Sequence, residues 1–285
     1  MAIIRHYLYL SWMQHYGPES LVMVLDFRDT VFQSEPFASV ETLRRETGDE
    51  LWLLGEHMPY KRIKNCVFNS GWIRDCWGKR TVQMVRDEAV ICSGAIVGTR
   101  VGMEKFERRL LEEVSSAKCH EHYVESDQGY TNLLYHTGAL AKAGIKVAML
   151  PRGVGPVNTI GAFSGHRHGY YVGDDVLKMS RDREGYVLNC PLNVTASMRA
   201  CSPVAKKDSP CVVDGDSGMN FATCQDTSRS PVVHQWDRHS EVLGPFVNRM
   251  LSCTKNCYPE KDQGATGGRG AGKLKRSGVP KKVEE

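Results

Sequence analysis

The sequence shows neither an apolar stretch long enough to span a membrane nor the pattern of a signal peptide. Its 285 residues contain no run that approaches the roughly 20 consecutive apolar residues that a bilayer span needs. The first residues, Met1 to His6, also lack the pattern of a signal peptide. With 41% hydrophobic and 25% charged residues, the composition predicts a soluble protein whose core suffices for one large α/β domain or two small ones.

Outside its C-terminal segment, the chain also has no excess of charge of either sign. The formal net charge is +4, and residues 263–285 alone hold six basic residues against two acids, which accounts for the whole excess. That segment is rich in glycine and has no apolar periodicity. The sequence therefore predicts a domain over residues 1–258 and a disordered basic tail over 259–285. A nucleic-acid partner is not expected, because the domain itself is close to neutral.

Zinc-site spacing is absent among the ten cysteines. Cys119-His120-Glu121-His122 resembles one half of a zinc site but has no second half at a suitable distance, and is better explained as a solvated segment at a helix end. Cys66 and Cys76 could pair in an oxidising compartment, as could several later cysteines. The sequence does not determine the pairing.

Short apolar runs alternate with amphipathic segments along residues 3–150. Strands are predicted over 21–25, 51–54, 89–99 and 145–150, and helices over 3–16, 40–45, 99–114 and 126–142. This alternation predicts an α/β fold with a mixed, mostly parallel sheet flanked by helices. A looser β-rich lobe is expected over 153–230, with a strand over 186–190. A strand over 232–234 and a last helix over 241–250 follow.

The most informative motif follows the first predicted strand. Asp26 and Asp29 flank Phe27 and Arg28 directly after that strand, where open α/β sheets collect their ligands. A tight bend would let both carboxylates converge on one hard cation, and carboxylate oxygens are what Mn²⁺ or Mg²⁺ prefers. The alternative is a surface strand end, in which Asp26 caps the next turn and Asp29 is solvated.

Two later motifs also carry chemistry. Asp127 and Gln128 open a helix, which would place polar side chains at the positive end of its dipole, facing a cleft. The alternative is that Asp127 only caps the helix. His234 ends the strand over 232–234 and would deliver an imidazole to the sheet edge, although a lone histidine is more often a satisfied structural group.

The order of these motifs resembles a family of nucleotide-sugar glycosyltransferases with the GT-A fold. The resemblance covers about residues 7–248 and is closest around 26–37 and 232–239. It implies a divalent cation, Mn²⁺ or Mg²⁺, held by Asp26, Asp29 and His234 against the diphosphate of a nucleotide-sugar donor. The acceptor remains unknown.

The resemblance also assigns the remaining site residues. The Ser93-Gly94 turn is similar to the Asn-Ser-Gly turn of glycogenin-like enzymes, with Cys92 in place of the asparagine, and implies a donor-binding role. The start of the predicted helix at Asp127-Gln128-Gly129 is similar to the segment of those enzymes that faces the transferred sugar. It implies that Asp127 and Gln128 are the catalytic residues, which orient the sugar and support an oxocarbenium-like centre. Arg28 is then expected to bind the donor by stabilising the negative charge of the departing nucleotide.

Only 25 residues precede Asp26, fewer than GT-A enzymes use for the strands that bind the nucleotide base. We therefore expect the first nucleotide-binding strands to be missing, together with any N-terminal anchor. A membrane partner would be reached only through that anchor. By resemblance, the compartment would be the Golgi or another secretory lumen.

Two other functions stay open. The segment 24–31 looks like the phosphotransfer motif of haloacid-dehalogenase-like phosphatases, with Gly173-Asp174-Asp175 as later metal acids. Arg28 opposes this reading, because it stands where that chemistry needs an acid that gives and takes back a proton. The other function is a non-catalytic remnant of a glycosyltransferase that has lost its nucleotide site.

Overall fold

The structure is a computed structural model that describes residues 2–56, 61–117, 119, 126–161, 180–182, 184–189, 212–213 and 228–256. The chain divides into a large unit, Met1–Val247, and a smaller one, Asn248–Glu285. The predicted tail, the segment 173–175 and most of the predicted β-rich lobe lie outside the described residues.

Seven α-helices are described. They are α1 Ala2–Met13, α2 Phe37–Thr47, α3 Val67–Val85, α4 Arg100–Ser116, α5 Asp127–His136, α6 Ala139–Lys142 and α7 Ser240–Asn256. Two short 3₁₀ helices span Ile63–Asn65 and Trp236–His239. Among the described helices, none has both the length and the apolar character that crossing a bilayer requires.

The helix termini follow local capping rules, with one departure from prediction. The hydroxyl of Thr99 accepts a hydrogen bond from the amide of Gly102 at 3.0 Å, which confirms Thr99 as the N-cap of α4. The single helix predicted over 126–142 is wrong, because Gly138 adopts the left-handed conformation (φ 71°) and separates α5 from α6.

Nine strands form three sheets in the described residues. The strands are β1 Leu21–Leu25, β2 Thr30–Phe32, β3 Leu51–Gly55, β4 Ile91–Thr99, β5 Val147–Leu150, β6 Val157–Thr159, β7 Ser180–Arg181, β8 Val212–Val213 and β9 Val232–His234. The sheet orders are β1-β4-β3-β5, β2-β9-β6 and β7-β8. Val187 and Leu188, predicted to lie in a strand over 186–190, contribute only an isolated bridge between Leu188 and Arg229.

The prediction of a mostly parallel sheet is wrong. Only the pairs β3–β5 and β6–β9 are parallel, and the other four are antiparallel. An apolar run indicates burial on both faces, and this burial is the same whichever way the neighbouring strand points. After β1 the chain enters the second sheet through β2. It later returns to the first sheet, where β4 pairs antiparallel with β1.

The four-stranded sheet is buried between two layers. Alternate residues of β3 point to opposite faces, so that Leu51 and Leu53 belong to one core and Trp52 and Leu54 to another. The first core is closed by residues of α1, α4, α5 and α6. The second core is closed by α2 and by residues of the three-stranded sheet, including Val232. This three-layer arrangement confirms an α/β fold with helices flanking the sheet.

Strand β4 contains a bulge where the motif Cys92-Ser93-Gly94 begins. Leu53 pairs with Ile96, whereas the next residue, Leu54, pairs with Cys92. The residues between Cys92 and Ile96 therefore leave the ladder with β3. On the other side, the amide of Asp26 donates to the carbonyl of Gly94 at 2.8 Å. Bulges of this kind re-aim side chains next to functional sites.

A disulfide joins α3 to the segment after α4. It pairs Cys76 with Cys119, so the candidate pairing of Cys66 with Cys76 is wrong. Cys119 is thus a disulfide partner rather than part of a metal cluster. Its sulfur also lies 3.0 Å from the hydroxyl of the buried Tyr130.

We expect the disulfide to stabilise the fold, because it closes a loop of 43 residues in the unfolded chain. Cys76→Ser should lower the free energy of unfolding by about 2–4 kcal/mol in denaturant titrations. Reductant should produce a similar loss in the wild type and no further loss in Cys76→Ser. Equal stability of the oxidised wild type and the variant would contradict the pairing.

Candidate metal centre

Three predicted ligands meet at the end of β1. One ligand atom from each of Asp26, Asp29 and His234 lies within 4.8 Å of the other two. Asp29 and His234 are buried, whereas the Asp26 side chain is 42% exposed. The group therefore has a buried floor and one carboxylate that reaches solvent.

Strand pairing brings these distant residues together. Asp29 immediately precedes β2, and the first residue of β2, Thr30, pairs with His234 at the end of β9. The carbonyl of Asp29 accepts a hydrogen bond from the amide of Trp236 at 3.2 Å. Asp26 stays close because its carbonyl accepts from the hydroxyl of Thr30 at 2.6 Å. The bend between β1 and β2 thus converges the two carboxylates, as predicted.

Two buried atoms of this group have no hydrogen-bond partner in the described structure. They are Oδ1 of Asp29 and Nε2 of His234, which face each other at 3.4 Å and form an ion pair when the ring is protonated. A divalent cation that takes both atoms as ligands would replace the proton between them. The oxygen and imidazole donors suit Mn²⁺ or Mg²⁺.

His234 is held in place from its other side. Its Nδ1 lies 3.6 Å from the sulfur of Cys92, so the residue that replaces asparagine in the Ser-Gly turn contacts the candidate ligand. Burial disfavours the charged ring, but Cys92 and Asp29 outweigh it and raise the pKa of His234 to about 10. Burial raises the pKa of Asp29, but the contact with His234 outweighs burial and lowers that pKa below its ordinary value.

Gly94 leaves the space that the group occupies. A Cβ built there would overlap the carboxylate of Asp26 and would lie 2.9 Å from Cε1 of His234. Real Cβ atoms do not approach other atoms this closely. Only glycine at this position allows the bulged β4 segment to pass beneath both side chains.

An arginine from α1 links the metal group to Asp127. The guanidinium of Arg5 donates to Oδ1 of Asp26 at 2.6 Å and forms a short ion pair with Oδ2 of Asp127. Burial opposes its charge, yet the two carboxylates keep the pKa of Arg5 above its ordinary value. Ser93 completes this contact by donating its hydroxyl to Oδ1 of Asp127 at 3.1 Å.

The neighbouring residue on α1 extends the network into the core. Nδ1 of His6 lies 2.5 Å from Oε2 of Glu107, and its Nε2 lies 3.3 Å from Oδ2 of Asp127. Burial lowers the pKa of His6, but the two carboxylates prevail and raise it to about 9. His6 and Arg5 together hold the pKa of Asp127 below its usual value, against the effect of burial.

The other predicted site residues have different surroundings. Arg28 is 89% exposed, and its nearest ion-pair partner is Asp237 at 3.9 Å, so it lies outside the metal group. Gln128 donates to Oε1 of Glu56 at 2.7 Å and to the carbonyl of Ile91 at 2.9 Å. The helix cap is provided by Ser126, whose hydroxyl accepts from the amide of Gly129, and not by Asp127.

Three charged residues of the site were not singled out in the sequence. Arg5 and His6 lie on a helix whose only pattern was apolar periodicity, and their partners lie between 21 and 122 residues away. Glu56, which is 2% exposed, directly follows β3. Asp26 was identified because it is an acid that directly follows an apolar run. Glu56 has the same position after β3, so the same pattern would have identified it as well.

We expect Gly94→Ala to weaken Mn²⁺ binding strongly, because the new methyl group displaces Asp26 and His234. Calorimetric titration with Mn²⁺ should show an affinity loss of about 10–100-fold. Gly244→Ala is the matched control, since a Cβ at Gly244 meets nothing within 4 Å. Wild-type affinity in Gly94→Ala would contradict the placement of the ion.

We expect His6 to make stability depend on pH. Its pKa rises from 6.5 to about 9 on folding, so its contribution is fully present below pH 6.5 and is lost as the pH passes about 9. That difference corresponds to about 3 kcal/mol at most. His6→Asn keeps a donor near Glu107 but cannot titrate, and it should flatten the decline in the free energy of unfolding. His15→Asn, at an exposed position, should decline like the wild type.

Comparisons with known proteins give no family for this chain. No protein-family model matches it, and the curated proteins contain no match to it.

Proposed function

We propose that this chain is a metal-dependent glycosyltransferase of the GT-A type, which moves a sugar from a nucleotide-diphosphate donor to an acceptor. The observation that carries the proposal is the meeting of Asp26, Asp29 and His234, in which buried donor atoms of the last two face each other at 3.4 Å. Three further residues of the same motif order, Ser93, Gly94 and Asp127, adjoin that group.

The proposed reaction needs a site for negative charge. Breaking the bond between the sugar and the diphosphate leaves charge on the departing nucleotide, and a bound Mn²⁺ or Mg²⁺ would stabilise that charge. Asp26, Asp29 and His234 would hold the ion. The exposed edge of Asp26 leaves the open side on which a diphosphate can approach.

Arg5 is better placed than Arg28 to supply the second positive charge. It already bridges Asp26 and Asp127, whereas Arg28 lies in solvent. Once an ion draws Asp26 away, the guanidinium is available to an incoming phosphate within the same few ångströms. We therefore assign donor binding to Arg5 in place of Arg28, and we assign to Asp127 the role of orienting Arg5 and the sugar.

The test is donor turnover with and without metal. The probes are UDP-glucose, UDP-galactose, UDP-N-acetylglucosamine and GDP-mannose, and the measurement is release of the nucleoside diphosphate. We expect Mn²⁺-dependent release from at least one donor, and a loss of about 100-fold or more in Asp29→Asn. Arg5→Gln should lower turnover but not Mn²⁺ affinity, because it removes a competitor of the ion for Asp26.

Asp87→Asn is the control for the loss of a carboxylate, since Asp87 is exposed in the turn after α3. Circular dichroism should show that every variant keeps its fold. Full turnover in excess chelator, or wild-type turnover in Asp29→Asn, would refute the proposal. Release of phosphate from p-nitrophenyl phosphate that depends on Asp26 would favour the phosphatase instead.

A further inference from the structure

A cavity lies beside the metal centre and takes no part in holding the ion. Its volume is about 280 Å³, which is close to the small end of the range for ligand pockets. The polar and aromatic side chains that line it come from the end of β3, the start of α3, α5 and the residues after β9. They include Glu56, Phe68, Trp72, Gln128, Gln235 and Arg238.

Gln235 lines this cavity with a largely buried side chain. It directly follows His234, so the same strand end serves both the metal group and the cavity. Its backbone is left-handed (φ 64°, ψ 34°), the only such residue besides glycine among those described. Residues in such sparsely populated conformations cluster at functional sites.

One carboxylate and two cations line the cavity. Glu56 forms a close ion pair with Lys61, and it also accepts the hydrogen bond from Gln128. Arg238 adds a positive charge that this pair does not balance, which disfavours a cationic ligand. The amide groups of Gln128 and Gln235 suit a ligand with several hydroxyl groups.

The rim of the cavity supplies an apolar surface. Phe68 and Trp72 lie one turn apart on α3, with ring centroids 5.8 Å apart and planes inclined by 33°. Phe68 is 50% exposed, and Trp72 is partly exposed. A pyranose ring presents C–H groups on its faces and hydroxyls on its edge, and therefore matches an aromatic rim above polar groups.

We propose that this cavity is the acceptor pocket and that it binds a neutral sugar. The aromatic rim of Phe68 and Trp72 covers a face of the ring, and the side chain of Gln235 forms part of the wall that the sugar contacts. Glu56 and Gln128 bind the hydroxyl edge. The acceptor role rests on the proposed function, whereas sugar binding itself does not, because the pocket needs neither metal nor nucleotide.

The experiment measures sugar binding to the full chain without metal or donor. The probes are methyl α- and β-glycosides of glucose, galactose and mannose, with maltose and cellobiose, and the methods are saturation-transfer NMR and calorimetry. We expect at least one probe to bind, and Phe68→Ala and Gln235→Gly each to weaken that binding about tenfold or more. Gln235→Gly relieves the left-handed backbone, so it should fold at least as stably as the wild type.

Phe32→Ala is the matched control, because Phe32 is 53% exposed at the end of β2 and does not line the cavity. It should leave sugar binding unchanged. The pocket is refuted if no probe binds, or if binding is the same in Phe68→Ala, Gln235→Gly and the wild type. Sugar binding without metal-dependent donor turnover would support the pocket and overturn the transferase proposal, so the two failures are distinguishable.

Discussion

The site depends on one constraint: the negative charge of the carboxylates that converge beside the end of β1 must be neutralised. Asp26, Asp29 and Asp127 approach one another where water is partly excluded, and unpaired charge there would be costly. Arg5 bridges two of them, and His234 lies beside the third. The antiparallel pairing of β1 with β4, the bulge at Gly94 and the packing of α1 all serve this arrangement.

Much of the fold could be predicted, because it depends on local patterns. The strands β1, β3 and β4 follow apolar runs, and the Thr99 cap follows from its side chain. Strand direction could not be predicted, since burial on two faces does not distinguish parallel from antiparallel neighbours. The break at Gly138 was missed because apolar periodicity continues across it.

The candidate site was predicted where motifs lie next to strand ends, as Asp26, Asp29 and His234 do. It was not predicted where function depends on contacts between remote segments. Arg5 reaches its partners over separations of 21 and 122 residues, whereas the adjacent Arg28 points to solvent. Sequence neighbours on a bend need not share a direction, and a charged residue on a helix gives no sign of its partner.

The place of Arg5 on α1 has a consequence for the first helix as a whole. Under the proposed function, a divalent ion and the guanidinium would compete for the carboxylate of Asp26. Binding of the ion would weaken that contact of Arg5, while the contacts of Arg5 and His6 with Asp127 would remain. Thermodynamic linkage would make the effect reciprocal, so that an outward shift of α1 would favour binding of the ion.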